Sequence, residues 1–126
     1  MITKIKKILQ KKNKSKIISL TAYSKNIAKI LDNYCDIILV GDSMANVLYA
    51  QKNTHGISLK KIIEHSASVR QGVKRSLLVV DMPKGTYEDV RTAEKNARLV
   101  IKSTSCDAIK LESNKNCLLY TSDAAD

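Results

Sequence analysis

The 126-residue chain has no phenylalanine and no tryptophan, a single proline and three cysteines. Without Phe or Trp it holds no recognisable stacking module of the kind that reads single-stranded RNA. No apolar run approaches the roughly 20 residues of a membrane-spanning helix; the apolar runs are strand-sized. A secretory signal also fits poorly, because the basic start (Lys4, Lys6, Lys7, Lys11, Lys12, Lys14 and Lys16) leads into neither a long apolar stretch nor a small-residue cleavage site. Cys35, Cys106 and Cys117 are odd in number and have no C-x-x-C spacing. Two of them border predicted strands, where a reduced thiol packs as a small apolar residue, so no disulfide is expected. Together these absences predict a cytoplasmic protein without a membrane partner.

What is present suffices for one ordinary domain, since apolar residues make up 44% of the chain. Lys and Arg number 22 against 12 Asp and Glu, a net charge of +10. Such a charge attracts nucleic acid or acidic surfaces. The lysines, however, are concentrated in the first 16 residues and otherwise scattered over helix faces, where they are solvated. A basic, non-enzymatic chain that binds nucleic acid is the alternative left open, and it predicts binding that falls steeply with salt.

Residues 2–14 place Ile2, Ile5, Ile8 and Leu9 on one side of a helix, suited to cap an end of the fold. Four apolar runs then read as strands: Ile17 to Thr21, Asp36 to Val40, Ser76 to Val80 and Asp107 to Leu111. Helical stripes separate them: Ile27, Ile30, Leu31 and Tyr34; then, after an irregular link, Leu59, Ile62, Ile63 and Ala67; then Val90, Ala93, Ala97, Val100 and Ile101. Ser58 is the expected N-cap of the second of these helices and Gly72 its stop. Thr86-x-x-Asp89 has the form of a capping box and predicts a helix start near Thr86. Strands apolar on both faces and separated by amphipathic helices specify an α/β class with a parallel sheet and right-handed crossovers. Four such units occupy about half of a (β/α)8 barrel of about 250 residues. An open doubly wound sheet is the alternative, but the first strand lacks the G-x-G-x-x-G turn of a dinucleotide site.

Three strings stand at equivalent strand ends: Gly41-Asp42-Ser43, Asp81-Met82-Pro83 and Lys110-Leu111-Glu112. In a parallel barrel the carboxyl ends of the strands share one rim, so Asp42, Asp81 and Glu112 are expected to meet there with Ser43 and Lys110 nearby. Carboxylates brought together repel and take up protons unless a cation or a lysine joins them. Oxygen donors of this kind suit Mg²⁺, which takes a few carboxylates and completes its octahedron with water and substrate oxygens.

At these residues the chain resembles the ketopantoate hydroxymethyltransferase family. Leu20-Thr21-Ala22-Tyr23 is similar to the family's L-T-A-Y-D opening, the segment through Ile37 to Ser43 to its D-I-I-L-V-G-D-S, Asp81-Met82-Pro83 to its D-M-P, and Lys110-Leu111-Glu112 to its K-L-E. His65 through Gly72 is similar to its H-x-x-x-V-x-x-G helix, and Asn96-Ala97-Arg98-Leu99 to its N-A-x-R-L region. Ser24 stands where the family has an acid, and Met44-Ala45 where Leu-Gly is commoner.

The resemblance implies a (β/α)8 barrel of the TIM type, here its first four βα units preceded by the N-terminal helix. It implies Mg²⁺ held or anchored by Asp42, Asp81 and Glu112, and a 2-oxo acid contacted by Asp42, Ser43, Asp81 and Lys110. The implied reaction moves a hydroxymethyl group from 5,10-methylenetetrahydrofolate to 3-methyl-2-oxobutanoate, in a protein that forms homo-oligomers at full length. The family's general base, a glutamate, is expected beyond the end of this chain, so no catalytic base is assigned and the chain alone is expected to be inactive. A relative acting on a different 2-oxo acid, as in the phosphoenolpyruvate mutase and isocitrate lyase group, is the enzymatic alternative. The expected organisation is a basic helix at 1–16, the barrel portion at 17–116, and a tail at 117–126 that departs from the family pattern and resembles translated adapter read-through.

Overall fold

The computed structural model describes residues 2–112. Its frame is a sheet of four parallel strands in consecutive order: β1 (Ser19–Thr21), β2 (Ile37–Val40), β3 (Leu77–Asp81) and β4 (Ala108–Lys110). The chain crosses between them through α2 (Lys25–Leu31), through α3 (Met44–Val47) and α4 (Leu59–Gly72), and through α5 (Val90–Thr104), with α1 (Ile2–Gln10) ahead of the sheet. The architecture is α/β, as the alternation of apolar runs and helical stripes requires.

Strand alternation divides the apolar residues between two environments. Ile38 and Val40 pair in register with Leu78 and Val80, and all four are fully buried against the layer of α2, α4 and α5. Ile37, Leu39 and Val79 point the other way, are half-buried, and floor an open groove of about 480 Å³. Burial of the covered face at about 25 cal/mol per Å² of apolar surface drives the layering.

The amino ends of the strands are tied by three aspartates that the sequence did not single out. Asp32 accepts the backbone N–H groups of Lys74, Arg75 and Ser76 at 2.8–3.1 Å. Asp36 accepts from Ile18 N at 2.9 Å and Asp107 from Leu78 N at 2.9 Å. Burial opposes ionisation of Asp32 and Asp107, but the amide donors, joined at Asp107 by Lys4 and Arg70, outweigh it, and all three carboxyls sit below the usual carboxylate range. Helix α1 docks at this end through ion pairs of Lys4 with Asp107 (3.1 Å) and Lys11 with Asp36 (2.7 Å). Of its apolar stripe, Ile2, Ile5 and Leu9 are exposed and Ile8 is half-buried. The helix stops at Gln10, ahead of a left-handed Asn13 at φ 61°, a conformation Asn tolerates.

One local expectation is corrected. The helix expected to start near Thr86 begins at Val90, because Asp89 is the N-cap and accepts from Thr92 N at 2.8 Å, while the Thr86 hydroxyl is spent on the Pro83 carbonyl at 2.6 Å. Gly72 ends α4 as expected, without a left-handed conformation, at the point where α2 crosses closely. A Cβ there would run into the Lys25 carbonyl oxygen and lie 2.8 Å from Lys29 N. The Ser58 cap is as expected, accepting from Lys61 N at 3.1 Å. The irregular link after β2 contains the short α3 and a 3₁₀ turn at Thr54–Gly56. Residues 113–126, and with them the tail assigned to 117–126, lie outside the described residues.

Because the atoms facing Gly72 are backbone, they cannot swing aside. Gly72→Ala is expected to lose about 1–3 kcal/mol of stability, the usual cost of overpacking, measured by urea unfolding of the chain; an unchanged midpoint would show that α2 and α4 can part without penalty.

Candidate functional site

The register of β2, β3 and β4 sets the rim. Val40 pairs with Val80 and Asp81 with Lys110, so Gly41 at the end of β2 comes level with Asp81. Asp81 is 4% exposed. Its Oδ1 accepts from the Lys110 ammonium at 2.7 Å, and its Oδ2 accepts from the Asp42 backbone N–H at 3.1 Å. One buried carboxylate thereby joins the carboxyl ends of three adjacent strands. Gly41 makes this possible: a Cβ there would stand 3.3 Å from Asp81 Oδ2 and 3.2 Å from Ser43 Oγ, tight against both.

Of the five residues expected at the rim, Asp42, Asp81 and Lys110 are brought together most closely. Asp42 has its carboxyl pushed above the ordinary range, first by burial and then by the negative charges of Asp81 and Glu112, against the pull of Lys110 and the Thr54 hydroxyl. Lys110 loses hydration on burial, yet its hydrogen bond to Asp81 and the charges of Asp81, Asp42 and Glu112 raise its pKa, so the ammonium is held firmly. Glu112 is exposed, and its charge reaches both Asp42 and Lys110. Ser43 begins α3, its hydroxyl 2.8 Å from the Tyr23 phenol. Sequence reasoning assigned no role to Tyr23 or Thr54; each sits on a separate turn with no local signal of where it would reach.

Among the described residues, no three Asp, Glu, His or Cys side chains form one ion-sized group. The donor set nonetheless fits Mg²⁺, which needs only one or two carboxylates when water and substrate oxygens supply the rest. Asp42 and Asp81 provide two, each oxygen of Asp81 keeps a second lone pair, and the charge of Asp42 is under-compensated in a way a cation would relieve. Neither histidine joins them. His55 is exposed on the 3₁₀ turn, while His65 is bonded to the Tyr23 carbonyl at 2.8 Å and to the Tyr49 hydroxyl at 2.9 Å.

The raised pKa of Asp42 has a signed consequence. The folded state binds this proton more tightly than the unfolded state, so Asp42 subtracts stability as pH rises from below 3.8 through its raised folded value. With no divalent cation added, Asp42→Asn is expected to unfold at a higher temperature than the parent at pH 7, with the difference vanishing near pH 3, where by linkage both side chains are about neutral. A lower unfolding temperature for Asp42→Asn at pH 7 would mean that its charge is satisfied by partners already present.

The family model for ketopantoate hydroxymethyltransferase matches residues 2–123. Three curated relatives carry the name 3-methyl-2-oxobutanoate hydroxymethyltransferase. The one from Pelagibacter ubique is 56% identical over 118 residues, covering 94% of this chain and 46% of the relative. That from Chelativorans sp. is 44% identical over 110 residues, 86% of this chain and 39% of the relative. That from Agrobacterium fabrum is 42% identical over 106 residues, 83% of this chain and 38% of the relative. The chain thus spans less than half the length of these relatives. The rim of Asp42, Asp81 and Lys110 is therefore set in a chain that belongs to the ketopantoate hydroxymethyltransferase family.

Proposed function

We propose that this chain carries the metal-binding and 2-oxo-acid-binding part of a 3-methyl-2-oxobutanoate hydroxymethyltransferase, built as the first four units of a (β/α)8 barrel. The reaction joins the one-carbon unit of 5,10-methylenetetrahydrofolate, with water, to C3 of 3-methyl-2-oxobutanoate, giving tetrahydrofolate and 2-dehydropantoate, the first step of pantothenate synthesis. Four parallel strands in consecutive order, covered by helices on one face, support the barrel reading. The observation that carries the site is the bridge of Asp81 between Lys110 and the Asp42 amide at three adjacent strand ends. With this reading go a cytoplasmic location, a homo-oligomer at full length, and small-molecule partners rather than nucleic acid or membrane. Among the described residues no helix is long and apolar enough to cross a membrane.

Each residue then has a physical task. Asp42 and Asp81 would hold Mg²⁺, with the charge of Glu112 anchoring it from the next strand. Bound Mg²⁺ would supply Lewis-acid polarisation of the keto oxygen and so acidify the C3–H bond. Lys110 spends one of its three N–H donors on Asp81 and, being half-exposed, turns the others toward the carboxylate of the 2-oxo acid. Ser43 adds a hydroxyl donor beside it. The C3 proton leaves to a base outside the described residues; His65 cannot serve, because both ring nitrogens are engaged.

The test is a chimera joining residues 1–112 of this chain to the remaining part of the Pelagibacter ubique relative. It is expected to form 2-dehydropantoate with methylenetetrahydrofolate, to lose activity with a chelator and to regain it with Mg²⁺. Asp81→Asn and Lys110→Met, each breaking the bridge, should lower kcat/KM by about 10²–10⁴, the scale of a lost preorganised charge at an active site. A folded chimera with no such activity, or full activity in Asp81→Asn, would overturn the reading. The 126-residue chain alone is expected to form no product.

A further inference from the structure

Ser43 holds the N-cap position of α3, yet its side chain makes no capping bond; its φ of −55° is already helical, which turns the hydroxyl away from the amides of that turn. The hydroxyl faces the Tyr23 phenol instead, oxygen to oxygen at 2.8 Å. Two hydroxyls in one hydrogen bond consume one proton and leave the other to be donated elsewhere. A phenol O–H is more polarised than an alkyl O–H and hence the better donor. With Tyr23 donating and Ser43 accepting, the Ser43 proton is left for a ligand. Ser43 Oγ and Asp81 Oδ2 converge on the space above Gly41, where each lies within 3.3 Å of the position a Cβ would take.

Tyr23 is itself braced. Its carbonyl can only accept, so the 2.8 Å contact with His65 fixes the ring proton on Nδ1, and His65 Nε2 accepts from the Tyr49 hydroxyl at 2.9 Å. The Tyr49 ring meets the His65 ring edge-on with centroids 6.0 Å apart. On the other side, Ala22 N donates to Leu39 O at 3.1 Å, tying the residue before Tyr23 to β2. A continuous set of contacts therefore runs from α4 through the turn after β1 to the rim.

We propose that Tyr23, braced by His65, is a positioning residue that aims the Ser43 hydroxyl proton at the carboxylate of the bound 2-oxo acid. The proposal rests on the site reading above and adds a residue pair to it.

The experiment uses the chimera and steady-state kinetics with 3-methyl-2-oxobutanoate. Tyr23→Phe keeps the ring and removes only the oxygen; it should raise KM about tenfold, the worth of one hydrogen bond to a charged group, while kcat changes far less. Ser43→Ala should do the same, and the double variant should be no worse than Ser43→Ala, because Tyr23 acts only through Ser43. His65→Asn, whose side-chain amide can replace the Nδ1–H donor, should stay near the parent, whereas His65→Leu should behave like Tyr23→Phe. An unchanged KM in Tyr23→Phe, or effects of Tyr23→Phe and Ser43→Ala that multiply, would overturn the proposal while leaving the site reading intact. An unchanged KM in Ser43→Ala would remove Ser43 from the substrate site and overturn the proposal, while the site reading would still be decided by Asp81→Asn. Thermal unfolding of each variant separates a lost orientation from a lost fold.

Discussion

The Asp81 carboxylate has only two oxygens, and the rim is organised by where each one goes. One binds the ammonium of the next strand, the other the amide that follows the preceding strand. A charge this buried is costly unless fully partnered, so the register of β3 with both neighbours is coupled to the satisfaction of a single side chain. The same constraint places Asp42 beside Asp81. Among the described residues Asp42 receives no comparable set of donors, and burial, followed by the charges of Asp81 and Glu112, raises its proton affinity.

The two ends of the sheet use acids in opposite ways. At the amino ends Asp32, Asp36 and Asp107 accept backbone amides from neighbouring strands and lie below the ordinary carboxylate range, so they hold the fold together. At the carboxyl ends Asp42 carries charge that the protein alone compensates poorly. The two ends thus differ in the direction in which the surroundings push these protons: off Asp32, Asp36 and Asp107, and onto Asp42.

Much of the scaffold was legible in the chain. Unbroken apolar runs at 37–40 and 77–80 located the central strands, and the Asp42, Asp81 and Lys110 strings could be placed at their ends because parallel strands in consecutive order share a rim. Contacts made across the chain were not legible. Nothing near Asp32 in sequence announces that it will accept amides more than 40 residues away, nothing in Leu20-Thr21-Ala22-Tyr23 says where the phenol points, and nothing around Gly72 shows that the helix stop is also where α2 lies against α4. The start of α5 failed for a more local reason: Thr86 and Asp89 are both competent caps, and the turn after Pro83 had already claimed Thr86.

The absent side chain at Gly41 couples positions 41, 43 and 81 through space alone. A Cβ there would stand 3.3 Å from the Asp81 oxygen that reaches across to the Asp42 amide and 3.2 Å from Ser43 Oγ, so a larger residue asks both side chains to give way slightly. Any such shift is felt by the hydrogen bond that spans the ends of β2 and β3, and a glycine with no chemistry of its own thereby sets how closely those two strand ends meet.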